Sequence, residues 1–223
     1  MGCENKPGRR PIRAAEALFN FPRAYRCKFM LTGLLLRVVR PFLFKTMVRD
    51  EDLFRSAGIP EGSRILEIGC GDGENYKKIE GIAGVTHYTG IDINPAMVEH
   101  CRSTYPHQRW LVSGLPYPFA DDSFDYCVIV NVLHHLDGTA EIDSMLREAK
   151  RISKNILLFE PLQSEQVVLY GVKRLYWAMT DGGSNYQRLQ EFRDLFRSVG
   201  LRLDWERYTS PLRQFYAARL TRA

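Results

Sequence analysis

The chain has 223 residues, 45% hydrophobic and 26% charged, with a formal net charge of +5 at pH 7. That length and apolar content suit one doubly wound α/β domain with added helices and exclude a disordered or fibrous chain. The five cysteines, at 3, 27, 70, 101 and 127, form no Cys-x-x-Cys pair, which excludes a disulfide framework and a paired-cysteine zinc site and points to a reducing, cytoplasmic setting.

The positive charge is concentrated at the start. Residues 1–50 hold 11 Lys or Arg and three acids, whereas the remainder holds 20 basic and 23 acidic residues. A basic tail on a mildly acidic core gives no reason to expect a nucleic-acid partner for the fold as a whole. Residues 1–11 are too polar to build a core. No apolar stretch of signal-peptide type follows them, and Lys6 stands where a myristoylation pattern wants Ser or Thr. Within residues 29–48 a helix would place Leu31, Leu34, Leu35, Val38 and Phe42 on one face and Arg37 and Arg40 on another. Arg37, Arg40, Pro41 and Lys45 interrupt the apolar run before it is long enough to span a bilayer. Two readings stay open: a helix packed on the core as a lid over cofactor and substrate, or a surface that also makes peripheral contact with anionic membrane. Residues 50–57 favour a helix, and Gly58, Pro60 and Gly62 mark a hinge. The expected organisation is a basic tail and helical lid over 1–57 and a core over 58–223.

The core opens with Ile65-Leu-Glu-Ile-Gly-Cys-Gly-Asp-Gly73, an apolar run that stops at a glycine turn, as a buried strand feeding a helix would. The glycines leave room for a ligand against bare backbone. Asp92 ends the next strand-like run, where an acid suits the hydroxyls of a ribose. The third glycine comes one residue earlier than in a dinucleotide fingerprint, and Glu67, Asp72 and Glu74 would repel a pyrophosphate while tolerating a ligand with a positive end. Residues 88–97 read as the second strand and a helix start with Pro95 in its first turn. Residues 115–125 read as a loop, 126–131 as the fourth strand, 132–136 as the opening of the next helix, and 155–161 as the fifth strand. After Pro161, residues 163–180 read as a helix rich in large side chains and 181–185 as a loop. Residues 186–200 form an amphipathic helix burying Leu189, Phe192, Leu195, Phe196 and Val199, with strands at about 202–209 and 213–220.

From about residue 60 to 161, and more loosely to the end, these segments together resemble the class I S-adenosylmethionine-dependent methyltransferases, in the branch of the ubiquinone and menaquinone C-methyltransferases. The resemblance implies a Rossmann-like doubly wound sheet of about seven strands with an N-terminal helical lid, and S-adenosyl-L-methionine as cofactor. It assigns Glu67, Gly69, Cys70, Gly71 and Gly73 to the loop around the methionine half and Asp92, with Ile93 beside it, to the ribose. Met97 is assigned to one face of the adenine, though an ordinary core methionine reads equally well. Ser113, Gly114 and Leu115 are assigned to the adenine edge, and Asn131 to the end of the fourth strand. Relatives often carry an acid where this chain has Val112-Ser113-Gly114, so adenine would rely on Ser113, backbone and apolar packing.

The acceptor expected is a small molecule, apolar or lipid-like, bound beside an insertion over about 162–187. Tyr170, Trp177 and Tyr186 are its candidate contacts, with core aromatics as the plainer reading. Methyl transfer needs alignment and exclusion of water, and no metal. If the acceptor must lose a proton, His134, His135 and Glu160 are the candidate bases, although the histidine pair also reads as structural. Two other functions remain: a non-catalytic, regulatory S-adenosylmethionine-binding relative, and a protein or RNA methyltransferase, which the absence of an Asn-Pro-Pro-Tyr-like motif after the fourth strand disfavours. The sequence gives no oligomeric state.

Overall fold

The computed structural model describes residues 50–83, 87–163, 183, 185–208 and 215–223. The basic segment 29–48, Tyr170 and Trp177 lie outside the described residues.

The elements follow in order: α1 (Asp50–Ala57), β1 (Arg64–Ile68), α2 (Glu74–Ala83), β2 (His87–Asp92), α3 (Pro95–Thr104), β3 (Arg109–Val112), β4 (Phe124–Val130), a 3-10 turn (Leu133–His135), α4 (Thr139–Ile152), β5 (Ser153–Pro161), α5 (Leu189–Val199), β6 (Leu201–Tyr208) and β7 (Phe215–Arg222). The seven strands form one sheet in the order β3-β2-β1-β4-β5-β7-β6. Strands β1 to β5 pair in parallel, and β7 runs antiparallel between β5 and β6. This is the expected doubly wound sheet. The order reverses between β1 and β4, so the turns after these two strands face each other across a crevice, the usual place for a ligand in such sheets.

Strands β1, β4 and β5 are buried at almost every position because helices cover both faces. One face packs against α4 and α5 through Ile142, Leu146, Phe192 and Phe196. The other packs against α1, α2 and α3 through Phe54, Ile79 and Val98. Helix α3 starts as its sequence dictates: the Asn94 side chain accepts from Ala96 N at 3.0 Å, and Pro95 takes the first helical position.

Two helix starts differ from the sequence reading, and the strand ends differ by one or two residues. The helix after β4 starts at Thr139, and residues 133–135 form only a 3-10 turn. The amides of Val132 and Leu133 are held by Glu160 Oε1 at 2.6 and 2.8 Å, which fixes the chain in a tight turn before it can continue as a helix. Helix α5 starts at Leu189, not at Tyr186. Residues 185–187 are committed elsewhere, with Asn185 N donating to His134 O at 3.0 Å and Gln187 O accepting from Gln163 N at 2.9 Å.

Close packing between neighbouring strands makes β2 intolerant of a side chain at Gly90, whose register partner on β3 is Trp110: an added Cβ would overlap that ring. Trp110 is buried, and its Nε1 donates to Tyr105 O at 3.0 Å. Gly90→Ala is expected to cost about 1–3 kcal/mol through overpacking. Urea unfolding checks this as a lowered midpoint at unchanged slope.

Candidate active site

The turn after β1 is built around three glycines with φ of 70° (Gly69), 51° (Gly71) and 79° (Gly73), a region that L side chains rarely adopt. They serve different ends. A Cβ on Gly69 would lie 2.5 Å from Val132 Cγ2, in the turn after β4, and one on Gly73 would lie 2.9 Å from Tyr105. These two allow the fold to close. Only at Gly71 does the missing side chain face open space.

The turn is tied to the neighbouring strand. Gly69 N and Cys70 N both donate to Ile91 O, at 2.8 and 3.0 Å, and Gly71 N donates to Asp92 Oδ2 at 2.9 Å. Asp92 Oδ1 accepts from Asn94 N at 2.8 Å. A carboxylate has about four lone-pair directions, so each oxygen of half-buried Asp92 keeps one free for a ligand hydroxyl. Beyond it, Ile93 is 78% exposed and Leu115 39% exposed at adjacent strand ends. Gly114 lies against Ile93, 3.6 Å from the Cβ position to Ile93 Cγ2. Ser113 N donates to Asp92 O at 3.0 Å, and Met97 is half-buried in the first turn of α3. A carboxylate with spare acceptor capacity, flanked by exposed apolar side chains, fits a ribose and a flat base.

Two of the sequence-assigned residues sit beneath this surface. Cys70 is buried, and Glu67 is fully buried. Its carboxylate accepts from Tyr88 Oη and, at 2.7 Å, from Asn75 Nδ2. Burial pushes the Glu67 carboxyl up to about 7, against the opposing pull of the Tyr88 and Asn75 hydrogen bonds. Asn75 and Tyr88 were not singled out from sequence. Asn75 falls on the inner side of the first turn of α2, eight residues after Glu67, and only the folded turn brings them together.

Across the crevice, Asn131 follows β4 at φ 56°, a strained value for a non-glycine residue, and its side chain is exposed. Glu160, at the end of β5, is fully buried. Its Oε1 accepts from Val132 and Leu133, and its Oε2 meets His134 Nδ1 at 2.8 Å. His134 is 2% exposed. Tyr186 stacks on its ring at 5.4 Å, and a Cβ on Gly183 would overlap it. The Tyr186 hydroxyl donates to Gly183 O at 3.1 Å. His135 is exposed, with its ring 4.2 Å from that of His134. Of the three candidate bases, the geometry leaves His135 facing solvent and places His134 and Glu160 behind it. Tyr186, assigned to the acceptor from sequence, has its ring against His134. Gly183 and Asn185 escaped the sequence reading, since nothing local ties them to a turn 50 residues earlier. Among the described residues no cluster of His, Cys, Asp and Glu could hold a metal ion.

Residues 66–156 match the family model of a methyltransferase domain. A probable phthiotriol/phenolphthiotriol dimycocerosates methyltransferase of Mycobacterium ulcerans is 33% identical over 81 residues, covering 33% of this chain and 30% of that protein. An O-methyltransferase of Penicillium expansum is 32% identical over 120 residues, covering 47% and 43%. Proteins named as tRNA (carboxymethyluridine) methyltransferases also match, at 26% identity. The chain spans less than half the length of these curated relatives. Among solved structures, a SAM-dependent methyltransferase of Methanosarcina mazei superposes with a TM-score of 0.62 at 19% identity, over 75% of this chain and 95% of that one. The fold is that of the Rossmann-like methyltransferases.

The buried Glu67 carboxyl has a measurable consequence. Its folded pKa of about 7 lies above the ordinary 4.5, so the folded protein holds this proton more tightly than the unfolded chain. Its contribution to stability is therefore full below about pH 4.5 and is lost as pH rises to about 7. Glu67→Gln removes this dependence. Urea unfolding at pH 5 and pH 8 is expected to show the variant gaining about 2–3 kcal/mol on the wild type between the two.

Proposed function

We propose that the chain transfers a methyl group from S-adenosylmethionine to a small-molecule acceptor that is apolar or lipid-like. The observation that carries this reading is the Asp92 carboxylate. It anchors the Gly71 amide and keeps acceptor capacity beside exposed Ile93 and Leu115. The methyltransferase-domain match over the same residues, and relatives named as acting on a mycobacterial lipid or as O-methyltransferases, support it.

The cofactor supplies a methyl group already activated by its sulfonium, so the protein has to align, exclude water and remove a proton where the acceptor carries one. Asp92 holds the ribose hydroxyls, Ile93, Met97 and Leu115 flank the adenine, and the Gly69–Gly73 backbone holds the methionine end. On the acceptor side, Glu160 fixes His134 and the turn amides, and that turn presents Asn131 and His135. In O-methylation, or in the ring C-methylation of ubiquinone and menaquinone type that the sequence resembles, a proton leaves the acceptor oxygen or carbon and passes to a ring nitrogen of His135. Residues 162–187, with Tyr170 and Trp177, complete the acceptor pocket in this reading. Residues 29–48 supply a lid or a contact with anionic lipid. No helix among the described residues is long and apolar enough to cross a membrane.

Incubation with methyl-labelled cofactor and separate lipid, small-molecule and tRNA fractions tests the acceptor class. Label is expected in organic-extractable material; label in tRNA alone would favour the relatives that modify tRNA. Asp92→Ala is expected to weaken S-adenosylhomocysteine binding by roughly 1–3 kcal/mol, with NAD not bound by either form, as read by calorimetry. His135→Ala is expected to lower turnover roughly 10²–10⁴-fold with S-adenosylhomocysteine affinity little changed. Equal turnover in wild type and variant at every pH would remove general-base catalysis from the mechanism.

A further inference from the structure

A cavity of about 400 Å³ opens at the N-terminal edge of β1, β2 and β3, at the opposite end of the sheet from the crevice. Small-molecule sites occupy roughly 300–1,000 Å³. The register places Arg64 beside His87 and Thr89 beside Arg109, so these four side chains share one face of the sheet. His107 also lines the cavity, whereas Gln108 Nε2 is given to Tyr76 Oη at 3.1 Å and Ser123 Oγ to Ala120 O at 2.6 Å; among the described residues no carboxylate lines it. The connection from β3 to β4, residues 113–123, carries no helix, unlike those after β1, β2 and β4.

Charge around this cavity is not balanced. Asp125, next to Arg64, is the closest acid: it takes Arg64 Nε at 3.0 Å and Lys154 Nζ at 3.0 Å, one carboxylate shared between two cations. Arg64 holds the Asp125 carboxyl well below the usual range. Asp121 and Asp122 of the adjoining loop are engaged by Arg151 at 2.8 Å and Arg222 at 2.7 Å. Arg109 lies over the Phe119 ring at 5.8 Å, and among the described residues neither Arg109, His87 nor His107 has a carboxylate partner. Among these residues Arg109 thus carries a positive charge with no carboxylate in contact, beside an Arg64 whose carboxylate is shared with Lys154, and this favours an anion in the cavity. The Arg109 fork, with imidazole and hydroxyl donors, matches a tetrahedral oxyanion; Arg64 gives Nε and Nη2 to Asp125, at 3.0 and 3.1 Å, and contributes its charge.

We propose that this cavity binds a phosphate group, as the free ion or as a phosphate monoester, at a site separate from methyl transfer. Arg109 and His107 are its principal contacts, with His87 and Thr89 completing the donor set and Arg64 adding positive charge. The site does not depend on the identity of the methyl acceptor.

The test is amide-resolved NMR titration of the full chain, saturated with S-adenosylhomocysteine, at constant ionic strength. The probes are inorganic phosphate and glycerol 3-phosphate, with co-sedimentation on phosphatidate vesicles alongside. Saturable shifts are expected at Thr89 and Gln108 and not at Gly71 or Gly114. The surface variant Arg109→Gln/His107→Gln, checked for an unchanged fold by its spectrum, should weaken binding roughly tenfold or more. Binding of the soluble ester assigns a metabolite as source, and vesicle binding that the variant abolishes assigns a lipid headgroup; both support the site. Absence of saturable shifts with every soluble probe, shifts confined to the crevice, or phosphate and glycerol 3-phosphate binding that survives the double substitution would overturn it.

Discussion

The bond from the Gly71 amide to the Asp92 carboxylate is the constraint on which the site depends. It joins the turn after one strand to the end of its neighbour. The same device appears on the far side of the crevice, where Glu160 at the end of β5 holds the amides of Val132 and Leu133 in the turn after β4. Strand order explains the symmetry. β1 and β4 are neighbours at the centre of the sheet, with β2 and β5 flanking them. Each flanking strand ends in an acid that reaches inward to the next turn. Where the two turns meet, Gly69 lies against Val132 with no space for a side chain. The two halves of the crevice therefore fit only together, a pre-organisation that a reaction relying on alignment requires.

The three strand-end acids show how burial sorts chemically similar groups. A buried carboxylate is tolerated when donors satisfy it. Glu160 has three such partners and acts on the architecture of the turn; Asp92 is half-exposed, has two, and keeps capacity for a ligand. Among the described residues Glu67 has Tyr88 and Asn75 as partners and no cation in direct contact, so desolvation prevails and its carboxyl titrates near neutrality. A charge introduced near the crevice thus has different consequences at each of the three positions.

Much of this was legible in the sequence where the signal is local. The glycine spacing, the acid closing β2, Pro95 in the first turn of α3 and the period of α5 all follow from neighbours in the chain, and the structure agrees with them. What could not be read depends on contacts between distant segments. The extent of the helix after β4 was misjudged because an acid 27 residues away holds its first amides. Tyr186 looked like a helix start but is held outside it by Gly183, Gln163 and the His134 turn. Two adjacent histidines look equivalent in sequence; only the packing of Gly183 and Tyr186 separates a buried His134 from an exposed His135.

A crystal structure of the chain with S-adenosylhomocysteine tests the central claim most directly. The account predicts both ribose hydroxyls on the Asp92 carboxylate, adenine between Ile93 and Leu115, and the Gly71–Asp92 bond retained with ligand bound. Ligand seated away from Asp92, or an Asp92 carboxylate turned from Gly71 to meet it, would contradict it.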